Sequence, residues 1–363
     1  MRILYDYQGL VYRAGGVSRC LVEIISELKK SEDVGIACPF TDNMYLQEAL
    51  GHKVNPLSER PWLWKQLLNL NEPYCKLKVS SGKFDVFHPT FDKSYYFKGV
   101  KKPFVVTVHD MIPEVIFRED KSYDAGKLER WLDNKHDMLK DAARIICVSG
   151  YTRKTMLETY PEIDPAKVDV IHHGMRPFHG TYEKNTRGRY ILYVGMRTGY
   201  KNFLFSVKAL KPVFDRDDSL KLYCTGKAFT PEEAAFIADC GLSDRVLCTG
   251  YLGDDALASL YHNAAVFIYP SRFEGFGIPI LEAFEYGCPA VVADATCFPE
   301  VGGDAVEYFD PDSAESLMAS VCKILEDETY ADSLRLKGKM RVSGFTWEKT
   351  AARTLETYKK ALE

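Results

Sequence analysis

Short apolar runs, separated by segments long enough to form a helix, recur along the whole chain. They occupy residues 3–7, 34–40, 84–87, 104–108, 144–148 and 168–171 in a first series, and 190–194, 220–224, 246–248, 266–269, 290–293 and 305–309 in a second. Such runs alternating with helical segments are typical of buried parallel strands in doubly wound α/β domains. Two series therefore predict two such domains.

A polar stretch separates the two series. Residues 172–177 are followed by the polar residues 181–187, a composition that favours a linker. A chain of 363 residues is also long enough for two separate cores. We therefore expect a first domain over residues 1–176, a second over 177–345, and a terminal amphipathic helix within 346–363.

The composition excludes several classes of protein. A net charge of −4 gives no electrostatic reason to expect a nucleic-acid partner. The 10 cysteines form no C-x-x-C pair and several lie in apolar runs, which indicates buried thiols in a reducing compartment. The first residues lack the pattern of a signal peptide, and no apolar run approaches the roughly 18 residues that span a bilayer. We expect a cytoplasmic protein that could still touch the inner face of a membrane.

The most informative loop follows the apolar run at residues 266–269. It covers residues 270–277, and Pro279 favours the first turn of a helix directly after it. Free N–H groups at a helix N-terminus attract phosphate. Gly275 and Gly277 would let backbone amides approach such a ligand closely.

Two glutamates flank this glycine loop. Glu274 lies in the loop and Glu282 about one turn into the predicted helix. Carboxylates beside an anion site are unfavourable unless they accept hydrogen bonds from hydroxyls, and sugars are rich in hydroxyls. The simplest matching ligand is a nucleotide-sugar diphosphate. Ordinary α/β architecture with two solvated glutamates is the competing interpretation of this segment taken alone.

Other loops at strand ends carry further candidates. Gly15 and Gly16 would open a helix close to a bound phosphate or sugar. His109 ends the fourth run, where an imidazole could donate to a substrate hydroxyl or stabilise positive charge on a sugar ring. Arg197 and Lys201 follow the run at 190–194 and could neutralise a diphosphate. Each also has a structural interpretation: a glycine turn, a structural histidine, or a solvated pair of cations.

Taken together in order and spacing, these segments resemble the retaining glycosyltransferases of family 4. The resemblance covers nearly the whole chain and rests on residues 15–19, 108–110, 148–149, 170–174, 193–202, 246–250, 264–277, 282–283, 299–301 and 345–347. It implies the GT-B architecture, an α/β fold of two facing Rossmann-like doubly wound domains with a deep cleft between them. The first domain would bind the acceptor and the second the nucleotide sugar, and the terminal helix would cross back to the first domain.

The resemblance also implies roles for individual residues. Four would act on the reacting part of the donor: His109 near the reacting carbon, Glu274 on hydroxyls of the donor sugar, and Arg197 with Lys201 on the diphosphate. Glu282 would bind the ribose hydroxyls. The donor-binding residues in full would be Gly15, Gly16, Gly275, Phe276, Gly277 and Glu282.

The expected activity is transfer of a hexose of the mannose or glucose type from a GDP- or UDP-linked donor. The acceptor would be a glycan or a lipid-linked glycan, in cell-surface polysaccharide synthesis, with retention of anomeric configuration. Two alternatives stay open: a GT-B sugar-nucleotide epimerase, and a non-catalytic nucleotide-sugar-binding subunit. The joint presence of His109, Arg197, Lys201, Glu274 and Glu282 argues against the second.

The resemblance implies that the enzyme needs no metal ion or other cofactor. Two Asp-x-Asp sequences, at 215–217 and 310–312, match a motif that holds a metal in other transferases. The first lies in a polar stretch before a strand, and the second is typical of an Asp-Pro turn. For both we prefer a turn to a metal site.

Residues 60–68 combine aromatic and basic side chains in the first domain. Trp62, Trp64 and Lys65 could rest on a membrane or touch a lipid-linked acceptor. We favour a packed helix instead, because Leu63, Leu67 and Leu70 are spaced like a core stripe.

Overall fold

The structure is a computed structural model that describes residues 1–51, 56–90, 100–118 and 124–363. The chain divides into two compact units. Unit 1 consists of Met1–Gly174 together with Thr346–Glu363, and unit 2 of Met175–Phe345. Within the described ranges, no helix combines the length and the apolar character needed to cross a bilayer.

The described part of unit 1 holds two three-stranded parallel sheets. Their strands are β1 (Arg2–Tyr5), β2 (Asp33–Ile36), β3 (Val86–His88), β4 (Val105–Val108), β5 (Arg144–Cys147) and β6 (Val168–Val170). The strand orders are β2-β1-β3 and β4-β5-β6. A parallel bridge between Phe87 and Phe104 joins β3 to the start of β4. The carboxyl ends of all six strands therefore gather along one edge.

Unit 2 contains a six-stranded parallel sheet. Its strands are β7 (Tyr190–Tyr193), β8 (Lys221–Cys224), β9 (Val246–Cys248), β10 (Val266–Tyr269), β11 (Ala290–Ala293) and β12 (Glu307–Phe309). They lie in the order β12-β11-β10-β7-β8-β9. All residues of β7, β10 and β11 are buried, as expected for central strands covered by helices on both faces.

Helices fill the segments between strands. In unit 1 these are α1 (Gly16–Leu28), α2 (Met44–Leu50), α3 (Pro61–Asn69), α4 (Asn71–Ser81), α5 (Ala125–Asp141) and α6 (Gly150–Thr159). In unit 2 they are α7 (Phe203–Ala209), α8 (Lys211–Arg216), α9 (Pro231–Asp239), α10 (Asp254–His262), α11 (Ile278–Glu285), α12 (Phe298–Gly302), α13 (Ala314–Glu326) and α14 (Glu328–Val342). The last helix, α15 (Trp347–Lys360), belongs to unit 1.

The α/β class with two series of parallel strands is confirmed, and each apolar run overlaps a strand. Differences are confined to strand ends. The run at 34–40 extends past β2, which ends at Ile36, because the ladder closes with the bond from Ala37 N to Tyr5 O (2.8 Å). Likewise the last run starts at residue 305 but β12 begins at Glu307.

Helix α15 is held in unit 1 by packing on α1 and β5 and by buried polar contacts. The Tyr358 hydroxyl lies 2.5 Å from the Tyr5 hydroxyl and 2.6 Å from His88 Nδ1. At Gly174, a Cβ atom would lie 2.3 Å from the backbone nitrogen of Trp347, so only glycine fits there. The start of α15 is therefore fixed by a close backbone approach and its end by a hydrogen-bond chain.

The predicted core stripe on α3 is wrong in detail. Trp64 is the buried side chain of this helix, Leu63 and Leu67 are half-buried, and Leu70 is exposed. Trp62 and Trp64 are two residues apart, about 200° around a helix, so they face opposite sides. Trp64 packs inward and leaves Trp62 exposed.

Candidate functional site

The loop between β10 and α11 has the conformation that the sequence predicts. Gly277 has φ of +97°, and a Cβ atom there would lie 3.1 Å from the Phe298 ring. Both the left-handed backbone and the close ring require glycine. Helix α11 then starts at Ile278 with Pro279 in its first turn, and its N-cap has no side-chain hydrogen bond. Pro279 has no N–H and Ile280 N donates to Gly277 O at 3.0 Å, so of the first three residues of α11 only Ile278 offers an amide to an anion.

A second loop lies beside this one because β7 and β10 are neighbours in the sheet. The loop after β7 includes a single 3₁₀ turn, Gly199–Lys201. The two loops are joined directly, since Arg272 N donates to Tyr200 O at 2.8 Å. Two segments about 70 residues apart in sequence therefore form one surface at the carboxyl edge of the sheet.

An ion pair between Lys201 and Glu274 spans the two loops. Lys201 Nζ donates to Glu274 Oε1, and both side chains are largely buried. Cys297 Sγ, from the loop after β11, lies 3.3 Å from the Glu274 carbonyl oxygen and fixes its backbone. Burial raises the pKa of Tyr269, and the nearby Glu274 carboxylate raises it further. The structure brings these two predicted site residues together.

Glu282 lies on α11, one turn after its start, and is half-buried. The buried Tyr261 hydroxyl donates to Glu282 Oε2 at 3.0 Å, and this contact orients the carboxylate. Burial raises the pKa of Tyr261, with the neighbouring carboxylate adding to the effect. Gly275 and Phe276 complete the loop, and the Phe276 ring is buried against Phe345.

Arg197 follows β7 as predicted but its guanidinium is engaged elsewhere. It binds Glu233 through two nitrogens, at 3.0 and 3.1 Å, and donates to carbonyl oxygens of Thr225, Lys227 and Ala228. The guanidinium also lies over the Phe229 ring, 5.0 Å from its centroid. The structure thus ties Arg197 to the start of α9, and its contact with a diphosphate stays a prediction.

Unit 1 presents an open glycine pair at the start of α1. Gly15 is extended, with φ of 164°, and Gly16 is the first helical residue. Both are exposed, and a Cβ atom at Gly16 would meet nothing within 4 Å. Neither backbone conformation nor packing requires glycine here. The absence of side chains instead leaves the first amides of α1 accessible.

His109 directly follows β4 and packs in a group of histidines. Its ring stacks on that of His173, with centroids 5.7 Å apart. His173 in turn lies 5.8 Å from the Trp347 ring, and His88 bonds Thr107 Oγ1 at 3.1 Å. The group lines a cavity of about 10 Å³, room for one water molecule. Burial lowers the pKa of His109 to about 4, so its imidazole is neutral at pH 7.

Sequence reasoning missed the contacts that hold the loop after His109. Lys135 on α5 forms a buried ion pair with Glu114 at 2.8 Å and donates to the carbonyl oxygen of Asp110 at 3.1 Å. Tyr160 also donates to Glu114, at 3.2 Å. The available signal was the apolar stripe of α5, in which Lys135 takes a position between the buried Leu132 and Leu139.

The two Asp-x-Asp sequences take part in local structure. Asp215 pairs with Lys211 on α8. Asp310 Oδ1 accepts from Asp312 N at 3.0 Å in a turn, and Asp312 pairs with Arg272 at 2.6 Å. Among the described residues, no group of three or more His, Cys, Asp or Glu side chains is arranged to hold a metal ion.

Two family models match the chain. The model described as glycosyl transferases group 1 matches residues 176–341, and the one described as Glycosyltransferase Family 4 matches residues 14–177. The chain is 24% identical to O-antigen chain mannosyltransferase B of Escherichia coli, over 99% of this chain and 100% of that protein. It is 27% identical to MMP alpha-(1->4)-mannosyltransferase of Mycolicibacterium hassiacum, over 77% of this chain and 72% of that protein.

Solved structures show the same fold. Anabaena HepE in complex with UDP and glucose matches with a TM-score of 0.72 and 18% identity, over 98% of this chain and 99% of that chain. Sucrose-phosphate synthase from Thermosynechococcus elongatus matches with a TM-score of 0.72 and 17% identity, over 99% and 98% of the two chains. Because the two family models together span residues 14–341, the chain belongs to the family 4 glycosyltransferases and has their GT-B fold.

Proposed function

We propose that this glycosyltransferase moves a hexose, foremost mannose, from a nucleotide diphosphate sugar to a hydroxyl of a glycan or lipid-linked glycan in polysaccharide synthesis. The names of the two mannosyltransferase relatives support the sugar. The UDP bound to HepE supports a nucleoside diphosphate as the carrier. Guanosine and uridine both remain candidates for the base. Within the chain, the proposal is carried by the Lys201–Glu274 pair beside the N-terminus of α11.

The pair suits a donor that is anionic at one end and rich in hydroxyls at the other. The Lys201 ammonium offers a compact positive charge to the diphosphate, and the Ile278 amide at the start of α11 offers a donor to one of its oxygens. Glu274 keeps free lone pairs for hydroxyls of the sugar. Because each charge already has a partner, the donor meets a preorganised site and no isolated buried charge.

Glu282 has the position and the orientation to accept hydrogen bonds from the ribose hydroxyls. Tyr261 fixes one of its oxygens, and a carboxylate can accept several hydrogen bonds at once. Arg197 would add a guanidinium to the diphosphate site only by exchanging some of its contacts with Glu233 and the carbonyl oxygens of residues 225–228.

The proposed reaction retains the anomeric configuration. The bond between the anomeric carbon and the phosphate oxygen breaks, and its electron pair leaves with the nucleoside diphosphate. The acceptor hydroxyl attacks the same face of the oxocarbenium-like sugar, and a phosphate oxygen takes its proton. His109, neutral at pH 7, acts as a hydrogen-bonding group toward the sugar without adding a competing positive charge. We further propose that no metal ion takes part.

Nucleotide release from a panel of GDP- and UDP-linked hexoses, with and without glycan acceptor, tests the proposal. We expect acceptor-dependent release, insensitivity to a chelator, and loss of about 100-fold or more in kcat/KM for Glu274→Gln. Glu326→Gln, an exposed glutamate on α13, is the matched control and should retain full activity. Product NMR reports the anomeric configuration.

The alternatives give different outcomes in the same assay. An epimerase would convert the donor without any acceptor. A non-catalytic subunit would bind donor without turnover and respond to Glu274→Gln only in binding. An inverted product, or activity abolished by chelation, would contradict the proposed mechanism.

A further inference from the structure

The exposed apolar side chains of unit 1 are concentrated on α3 and α4. Of the ten large apolar residues that are exposed in the described chain, four fall within residues 62–77. They are Trp62 (74% exposed), Leu70 (49%), Tyr74 (36%) and Leu77 (69%). A monomeric soluble protein has no packing reason to expose such a set within 16 residues, and clusters of this kind mark interaction surfaces.

The spacing of these residues places three of them on one side of α4. Leu70, Tyr74 and Leu77 follow each other at four and three residues, the interval of one helix face. Cys75 and Val79, on the opposite side of α4, are buried in unit 1. Helix α4 therefore carries an apolar stripe on its solvent-exposed side as well as on the side that is buried in unit 1.

The charge of the same segment is opposite to that of the chain. Residues 60–83 contain five basic residues and one acidic residue, a balance of +4, whereas the whole chain has −4. All five basic side chains are exposed: Arg60, Lys65, Lys76, Lys78 and Lys83. Lys65, Lys78 and Lys83 form no ion pair with any described residue, so their charge is available to a partner. Exposed apolar residues surrounded by basic ones are typical of segments that lie on anionic membranes.

A groove adds a place for a headgroup. It has a volume of about 220 Å³ and opens between α4 and the first strands. Lys78, Lys83 and Arg2 line it together with Tyr74. Arg2 is already paired with Asp85 and Asp33 also lines the groove, so the two lysines outnumber the one remaining acidic group.

We propose that the α3–α4 face, defined by Trp62, Leu70, Tyr74, Leu77 and the five basic residues of 60–83, rests on the surface of an anionic lipid bilayer. The apolar side chains enter the headgroup region and the lysines bind lipid phosphates. This contact would hold the enzyme where a lipid-linked acceptor resides. It deepens the proposed function by favouring a lipid-linked acceptor over a free glycan. It replaces the Trp62/Trp64 pair as the contact, because Trp64 is buried.

Flotation of the full chain with vesicles tests the face directly. We expect binding to vesicles of phosphatidylglycerol and phosphatidylcholine, weak binding to phosphatidylcholine alone, and release when ionic strength rises from about 0.05 M to about 0.5 M. Trp62→Ser with Leu77→Ser should lower the partition coefficient about tenfold or more. Lys78→Glu with Lys83→Glu should lower it similarly, for the anionic vesicles only.

The matched control is Leu336→Ser with Met340→Ser. These two residues are 64% and 70% exposed on α14 of unit 2 and should have no influence on flotation. Melting temperatures show that each variant is folded. Transfer to a water-soluble acceptor should be unchanged in the Trp62/Leu77 variant, so a failure of the transferase proposal is read separately from a failure of membrane binding.

Three results would overturn the inference. The first is a wild-type chain that stays at the bottom of the gradient with anionic vesicles at low salt. The second is flotation of the α3–α4 variants equal to that of the wild type. The third is self-association in sedimentation that the Trp62/Leu77 variant abolishes, in which case the face joins two copies of the chain and does not contact lipid.

Discussion

Unit 1 and unit 2 each contain a lysine–glutamate pair next to the loop at a strand's carboxyl end. In unit 1, Lys135 and Glu114 have side chains that are 4% and 0% exposed, and Lys135 also binds the carbonyl oxygen of Asp110. In unit 2, Lys201 and Glu274 are 12% and 11% exposed and lie beside the glycine loop that precedes α11. The first pair is almost fully enclosed by protein, and the second keeps a small exposed fraction at the carboxyl edge of the sheet.

The difference shows that burial separates the two roles of a charge pair. In an enclosed pair, each charge is compensated for its lost hydration only by the other charge and by protein hydrogen bonds. Because these contacts cannot be given up, the pair fixes the loop that contains it. A pair at the edge of a site can exchange part of its contacts for those of a substrate. Removing charge from unit 1 should therefore cost stability, and removing charge from unit 2 should cost activity.

Lys135→Met is expected to have the largest effect. The substitution leaves the Glu114 carboxylate buried without its cation, which should lower the free energy of unfolding by about 3–5 kcal/mol in urea titrations. Lys76→Met, which breaks the exposed pair with Glu72, is the control and should cost about 0–1 kcal/mol. Adding Glu114→Leu to Lys135→Met should recover much of the loss. Equal losses of unfolding free energy in Lys135→Met and Lys76→Met would contradict a stabilising role for the enclosed pair.

Lys201→Ala should act on the rate. Loss of the ammonium removes charge stabilisation of the leaving diphosphate, for which we expect a decrease of about 100- to 1,000-fold in kcat/KM, measured as nucleotide release. Lys208→Ala, at an exposed position on the neighbouring α7, should leave the rate unchanged. An unfolding loss as large as that of Lys135→Met with a normal rate would show that the unit 2 pair is structural as well.

As the pH falls, unit 1 should lose stability at a higher pH than unit 2. Burial lowers the pKa of His88 to about 3 and that of His173 well below its ordinary value. Below about pH 6.5 the unfolded chain binds protons that these residues cannot bind in the fold. Each of these two histidines should then lower the free energy of unfolding by about 1.4 kcal/mol per pH unit, until the pH reaches its folded-state pKa. His179 and His262 of unit 2 are exposed.

Hydrogen exchange followed by peptide mass spectrometry, between pH 7.5 and 5, distinguishes the units once intrinsic rates are corrected. Peptides of unit 1 should lose protection first. In His88→Gln, the dependence of that loss on pH should be weaker by the contribution of one histidine. Simultaneous loss in both units would contradict the expectation.

Tyr358→Phe should have the smallest effect. It removes the hydroxyl that contacts both Tyr5 and His88, for an expected loss of about 1–2 kcal/mol in unfolding free energy. Tyr251→Phe, at an exposed site in unit 2, should cost almost nothing. Donor KM should stay normal in both variants. A change in donor KM for Tyr358→Phe would show that the buried hydrogen bonds of Tyr358 also influence the donor-binding site.

Patterns within short segments made much of the fold predictable. The strands follow from apolar runs, and the start of α11 follows from Gly277 and Pro279, because both depend on local sterics and periodicity. The opposite faces of Trp62 and Trp64 were also available from helical geometry.

Partners far apart in sequence were not predictable. Glu233 lies 36 residues after Arg197, and Glu114 lies on a different element from Lys135. Which cation meets which carboxylate depends on strand order and loop path, and neither is written in local composition. This is why Arg197 and Lys201 looked equivalent in sequence although the structure gives only Lys201 a place beside Glu274.

Unit 1 is assembled from two separated stretches of chain, with all of unit 2 inserted between Gly174 and Thr346. During synthesis, the inserted unit is complete and can fold while its host still lacks α15. Tyr5 and His88, made among the first ninety residues, meet Tyr358 only when α15 emerges. A nascent chain stalled before residue 346 would therefore display a finished unit 2 attached to a unit 1 that lacks α15, a natural substrate for chaperones.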